Sequence, residues 1–188
     1  MISLLIQHRT PKSALLLGPT YSEYERELSL CGGKLSYYTL SAAKDFQLDV
    51  SDFCQNLNHT IDLLIICNPN NPTSSAISVS DLKTIVQTCQ KLDIFVMIDE
   101  TYIEFASSIP ALSAVCLVPD YDNLMVLRGV SKFFAAPGLR LGYGMTAMRF
   151  SQHSERVSES VVVKLASGHS RENCSTRYRL YSKDKTID

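Results

Sequence analysis

The chain has 188 residues, 45% of them hydrophobic and 20% charged, with a formal net charge of −1. That balance fits one globular domain with a sizeable core and excludes the positive electrostatic footprint of a nucleic-acid or anionic-membrane binder. No apolar run approaches the roughly 20 residues needed to span a bilayer, and the opening MISLLIQHRTP lacks the charged front end of a secretion signal. Six scattered cysteines (Cys31, Cys54, Cys67, Cys89, Cys116 and Cys174) contain no CxxC pair. His8, His59, His153 and His169 show no ligand spacing and read as surface or loop residues. The expectation is therefore a reduced, cytoplasmic protein without disulfides or a metal site, its Cys67 and Cys89 serving as small core residues.

In chain order, SALLLGP from Ser13 reads as a short buried strand. Tyr21, Tyr24, Leu28 and Cys31 then recur at helical spacing, and Gly32-Gly33 stops that helix. KLSYYTL predicts a second strand. IDLLIICNP is a continuous apolar run with branched residues, the pattern of a strand covered on both faces. SVSDLKTIVQTCQKL predicts the best helix: Ser78 with Asp81 resembles a capping box, and Leu82, Ile85, Val86 and Cys89 form one apolar face. IFVMID and NLMVL complete the strands. Strands alternating with helices predict an α/β fold, a mostly parallel sheet covered by helices on both faces.

In such sheets ligands bind just beyond the carboxyl ends of the strands. Three apolar strands here run out into polar sequence: Asn68-Pro69-Asn70-Asn71-Pro72-Thr73, Asp99-Glu100-Thr101-Tyr102 and Arg128-Gly129-Val130-Ser131-Lys132. Side by side, they would bring an amide, a carboxylate, a phenol, a lysine and an arginine to one crevice. Each has a plainer reading. Asn-Pro pairs form turns, Asp99 could cap a helix, Tyr102 could belong to the core, and Lys132 could be a wet lysine at a loop edge. An unrelated α/β nucleotide binder is a weak alternative, because no GxGxxG follows a strand and no GxxxxGK[ST] is present.

NPNNPT, IDETYIEF and SKFFAAPGLRLGYG, in this order and spacing, resemble the large domain of pyridoxal-phosphate enzymes of the class I/II aminotransferase family. The likeness runs from about Leu15 to Met145 and is strongest to the histidinol-phosphate aminotransferase and threonine-phosphate decarboxylase branch. PTYSEYE and PGLRLGY lean toward the decarboxylase. The resemblance implies pyridoxal 5'-phosphate as cofactor, a small-molecule amino-acid substrate, a homodimer, and no nucleic-acid or membrane partner. It implies Lys132 as the catalytic Schiff-base lysine and general base. Asp99 would partner the ring nitrogen, Asn71 and Tyr102 the ring hydroxyl, Ser131 and Arg140 the phosphate, and Tyr21 would stack on the ring. It also implies a cis Asn71-Pro72 bond.

Departures from the family pattern accompany the likeness. Gly129 stands three residues before the lysine, where a phosphate-binding Ser or Thr is usual. Ser74 replaces the glycine of NPTG, and DEAY reads DETY. The family's phosphate loop would precede Met1, and its small domain, with the substrate-carboxylate arginine, would follow Met145. Residues 1–145 therefore read as a partial cofactor-binding large domain. Residues 146–188, with 8 Lys/Arg and no Pro, read as a polar tail unlike the family, disordered or out of frame. Two functions follow: amino-acid transamination or decarboxylation through Lys132, or a truncated, non-catalytic remnant that binds cofactor weakly or not at all.

Overall fold

The computed structural model describes residues 1–139, 141–147 and 161–166. Its centre is a seven-stranded sheet built from β1 (Ser13–Gly18), β2 (Lys34–Thr39), β3 (Leu63–Cys67), β4 (Phe95–Asp99), β5 (Leu124–Gly129), β6 (Leu141–Thr146) and β7 (Val161–Ala166), in the spatial order β2-β1-β3-β4-β5-β6-β7. β1 to β5 are mutually parallel, and β6 runs antiparallel to both β5 and β7. The five strands read from the sequence are all present. The antiparallel β6 falls in LGYGMT, whose glycines hide the strand pattern. Most of 146–188 lies outside the described residues; within it, the backbone of β7 pairs with β6.

Both faces of the sheet are apolar because consecutive side chains alternate across it. On one face, Leu16, Leu63, Ile65, Phe95, Met97 and Leu127 pack against Ile6 of α1 (Ile2–Arg9) and against Tyr24 and Leu28 of α2 (Glu23–Leu30). On the other, Leu15, Leu64, Ile66, Val96, Ile98 and Val126 pack against α3 (Val50–Gln55), α4 (Val79–Lys91) and the turn of 3-10 helix at Ala114–Asp120. The central strands β3 and β4 are buried at every position, and each such aliphatic side chain contributes roughly 1.5–3 kcal/mol. The local signals also hold. Ser78 caps α4 by accepting the Asp81 N–H at 3.2 Å, and Gly32 takes a φ of +73° just past α2, where a side chain would be strained. α3 has no counterpart in the sequence reading, because six residues are too short to display a helical period. Cys67 and Cys89 are buried, five cysteines in the described residues are free thiols, and His8 and His59 are exposed.

The chain order reverses between β1 and β3, so the crevice at the carboxyl ends opens there. Pro19–Tyr21, Asn68–Thr73, Asp99–Tyr102 and Val130–Lys132 all leave strands at this end. Among the described residues no helix is long and apolar enough to cross a membrane, and no cluster of His, Cys, Asp and Glu could hold a metal ion.

Candidate active site

The loop after β3 is built by two asparagines. Asn68 is fully buried; its amide donates to the carbonyls of Ile77 (3.0 Å) and Leu112 (2.9 Å), and its oxygen accepts the Ile77 N–H at 2.8 Å. Asn70 reaches across to the β1 exit: its amide donates to the Pro19 carbonyl at 2.8 Å, and its oxygen accepts from the Thr20 hydroxyl at 3.1 Å. This pair fixes the loop that carries Asn71 against the one that carries Tyr21. Asn71-Pro72 is cis, as are Asn68-Pro69 and Gly18-Pro19. The Asn71 side chain is half-buried and makes no hydrogen bond among the described residues.

Ser74, in the position of the NPTG glycine, sits at φ +59°. Left-handed backbone costs a residue with a Cβ roughly 1–2 kcal/mol, against the extra chain entropy of glycine, roughly 0.5–1 kcal/mol. Ser74→Gly is expected to stabilise the fold by about 0.5–1 kcal/mol. The check is a higher urea midpoint at unchanged slope; a lower midpoint would contradict the strain.

Asp99 closes β4 and keeps the parity of Phe95 and Met97, so its carboxylate lies on the α2 face. It is 4% exposed. The Tyr24 hydroxyl donates to Oδ2 at 2.8 Å, while the Thr101 backbone N–H and hydroxyl donate to Oδ1 at 2.9 and 2.5 Å. Burial, then the charge of Asp99, pushes the Tyr24 phenol far above its ordinary range, which keeps it a donor. The Cys67 thiol is pushed up to about 11, first by burial and then by Asp99. Tyr21 is 41% exposed at the crevice, its ring edge-on to that of Tyr24 at 5.7 Å.

The next residue, Glu100, turns to the opposite face. It is fully buried, accepting from the Ser113 hydroxyl (2.9 Å), the Ala114 N–H (2.6 Å) and Arg128 Nη2 (2.9 Å) and Nε (3.1 Å). Arg128 is thereby removed from the group of crevice residues expected from the sequence: its place one residue after Leu127 sends it to the other side of the sheet. Ser131 is half-buried and Lys132 exposed, both in the turn after β5 that leads back to β6. The Lys132 ammonium makes no hydrogen bond or ion pair among the described residues. Tyr102 is half-buried, with its ring 6.3 Å from that of Phe105. Arg140 lies outside the described residues.

The structure thus brings Tyr21, Asn71, Asp99, Tyr102, Ser131 and Lys132 to the same end of the sheet. Sequence reasoning missed Tyr24 and Thr101. Tyr24 was visible only as one more apolar position of α2, and Thr101 only as a mild variation of DEAY. Neither has a local signal, since each acts through Asp99.

The sequence matches the family described as aminotransferase class I and II over residues 1–176. The chain belongs to that family. Among relatives in the family, it is 34% identical over 139 residues to the histidinol-phosphate aminotransferase of Methanococcus aeolicus, covering 74% of this chain and 36% of that protein. To the threonine-phosphate decarboxylase of Salmonella typhimurium it is 35% identical over 137 residues, covering 71% and 36%. The solved histidinol-phosphate aminotransferase of Clostridium acetobutylicum superposes with a TM-score of 0.68 at 30% identity, covering 77% of this chain and 43% of that one. The chain therefore spans about two fifths of the length of these family members.

Proposed function

We propose that this chain holds pyridoxal phosphate at the carboxyl end of its sheet and carries, through Lys132, part of the machinery for transaminating or decarboxylating an amino acid. The substrate would resemble those named for its relatives, histidinol phosphate or threonine phosphate. The observation that carries this reading is Asp99, a buried carboxylate at the crevice beside an exposed lysine turn and a ring-sized aromatic, Tyr21. The donor set fits the cofactor. Asp99 would hold a proton on the ring nitrogen by charge pairing. Asn71 and Tyr102 would donate to or accept from the ring hydroxyl, Tyr21 would cover one ring face, and Ser131 and Arg140 would receive the phosphate. When bound, the cofactor supplies an electron sink for bonds at the amino acid's Cα. Lys132 supplies the amine that anchors it and a base within the site. On this reading residues 1–145 form part of a cofactor domain, and the working protein is a cytoplasmic homodimer.

A second reading, a non-catalytic remnant that binds cofactor weakly or not at all, is favoured by Gly129, where no side chain can donate to a phosphate. A Cβ at Gly129 would meet Thr101 at 3.6 Å and Ser131 at 3.9 Å, ordinary contact distances. Gly129→Ser is therefore expected to fit and to raise pyridoxal phosphate affinity roughly tenfold, the worth of one hydrogen bond to a charged group. The whole proposal is tested by titrating the purified chain with pyridoxal phosphate and following visible absorbance. Saturable binding that Asp99→Ala weakens supports it, and no saturable binding by the wild-type chain overturns it.

A further inference from the structure

Asp99 has more partners than a carboxylate needs in order to be tolerated at the end of a strand. Each carboxylate oxygen offers about two acceptor positions. Among the described residues, Oδ1 is filled by the two Thr101 donors, and Oδ2 takes only Tyr24. One acceptor position among these contacts therefore remains, and it is on Oδ2. We infer that Tyr24 and Thr101 are positioning residues, clamping Asp99 so that this one position is aimed to receive a protonated pyridine nitrogen. The inference rests on the cofactor reading above and adds to it how Asp99 is held.

Three observations carry it. The first is economy of geometry. Tyr24 is fully buried on α2, 75 residues away in sequence from Asp99, and its hydroxyl crosses the α2–sheet interface to reach Asp99 and, beside it, the Cys67 thiol. A phenylalanine would pack as well there and would not bury a hydroxyl, and of the two groups the hydroxyl meets, only Asp99 is a strong acceptor. The second is its position between two site elements: its ring is edge-on to Tyr21 while its hydroxyl holds Asp99. One side chain therefore braces both the wall of the crevice and its carboxylate. The third is Thr101, whose hydroxyl is the donor that DETY has and DEAY lacks.

Among the described residues, Asp99 is faced by Tyr24 from α2 and by Cys67, its register partner on β3, while its register partner on β5 is the apolar Leu127. Hydrogen bonds are therefore what fix its orientation.

The test uses Tyr24→Phe, Thr101→Val and, as the conservative rescue, Thr101→Ser. Affinity for pyridoxal phosphate is compared with affinity for the analogue that has carbon in place of the ring nitrogen. The preference for the nitrogen compound should fall roughly tenfold in Tyr24→Phe and Thr101→Val and persist in Thr101→Ser. A purely structural role would lower the melting temperature and leave that preference in place. An unchanged preference in Tyr24→Phe, with wild-type binding intact, overturns the inference and leaves the cofactor reading standing. Failure of the wild-type chain to bind pyridoxal phosphate overturns that reading and the inference with it.

Discussion

Lys132→Ala is expected to abolish the covalent attachment of pyridoxal phosphate that borohydride makes permanent in the wild-type chain. An amine anchors an aldehyde cofactor only where the rest of the site holds the ring within its reach, and such proximity outweighs the intrinsic reactivity of any one lysine. Lys132 has that placement by the proposed arrangement: its turn leaves β5 at the same end of the sheet as Asp99 and Asn71, and its ammonium has no partner among the described residues. Lys12 and Lys34 provide an internal control. Both are exposed, and both sit at the amino ends of their strands, on the far side of the sheet from the crevice. They can react only as isolated surface amines. Peptide mass spectrometry after reduction should find the label at Lys132 in wild type and at background level everywhere in the mutant. Equal label in the mutant, or label mapped mainly to Lys12 or Lys34, removes Lys132 from its assigned role.

The largest expected loss of stability comes from Arg128→Met. Glu100 is completely buried, and Arg128, with a 17% exposed side chain, is its only cationic partner among the described residues. Removing one member of a buried ion pair leaves an uncompensated charge and costs about 3–5 kcal/mol. Ser113 and Ala114 continue to donate to Glu100, so the lower end of that range applies if the local backbone holds. The loss should depend on pH in a defined direction. Burial already raises the Glu100 carboxyl above its ordinary 4.5, against the pull of Ala114, Arg128 and Ser113, and losing the arginine raises it further. A group whose folded value is raised is least costly when protonated, so the deficit of the mutant is smallest below the folded wild-type value, itself above 4.5, and grows as pH rises through it. Glu100→Gln in the same background should recover much of the loss at neutral pH. Urea denaturation across this range reads all three effects. A deficit under about 1 kcal/mol at pH 7 would place the pair with ordinary surface contacts.

The physical logic that separates Asp99 from Glu100 is one residue of strand parity. Neighbouring carboxylates point to opposite faces; one meets a phenol and a crevice, the other an arginine and a closed core. The motif DETY therefore combines a group for chemistry with a group that pins β4 to β5 and to the segment at Ser113. Because Arg128 also begins the stretch that leads to Lys132, the Glu100 pair ties the lysine turn to the sheet on which Asp99 lies.

Much of this was written in the sequence. LLIIC and FVMID determine buried parallel strands because an unbroken run of branched apolar residues can be covered only from both sides. Ser78 and Gly32 set helix ends by chemistry local to a single turn. NPNNPT, DETY and the SK of the β5 exit identify the family because their order along the chain is itself the signal. What only the tertiary structure decided are the contacts that cross elements. Sequence spacing could not show that Arg128 turns away from the crevice, that Asn70 ties the β3 exit to the β1 exit, or that Tyr24 reaches Asp99 across 75 positions. Nor could the glycines of LGYGMT announce the antiparallel β6. Local propensity and hydrophobic period depend on residues a few positions apart, whereas the partner of a buried polar group depends on which distant strand or helix the fold sets beside it.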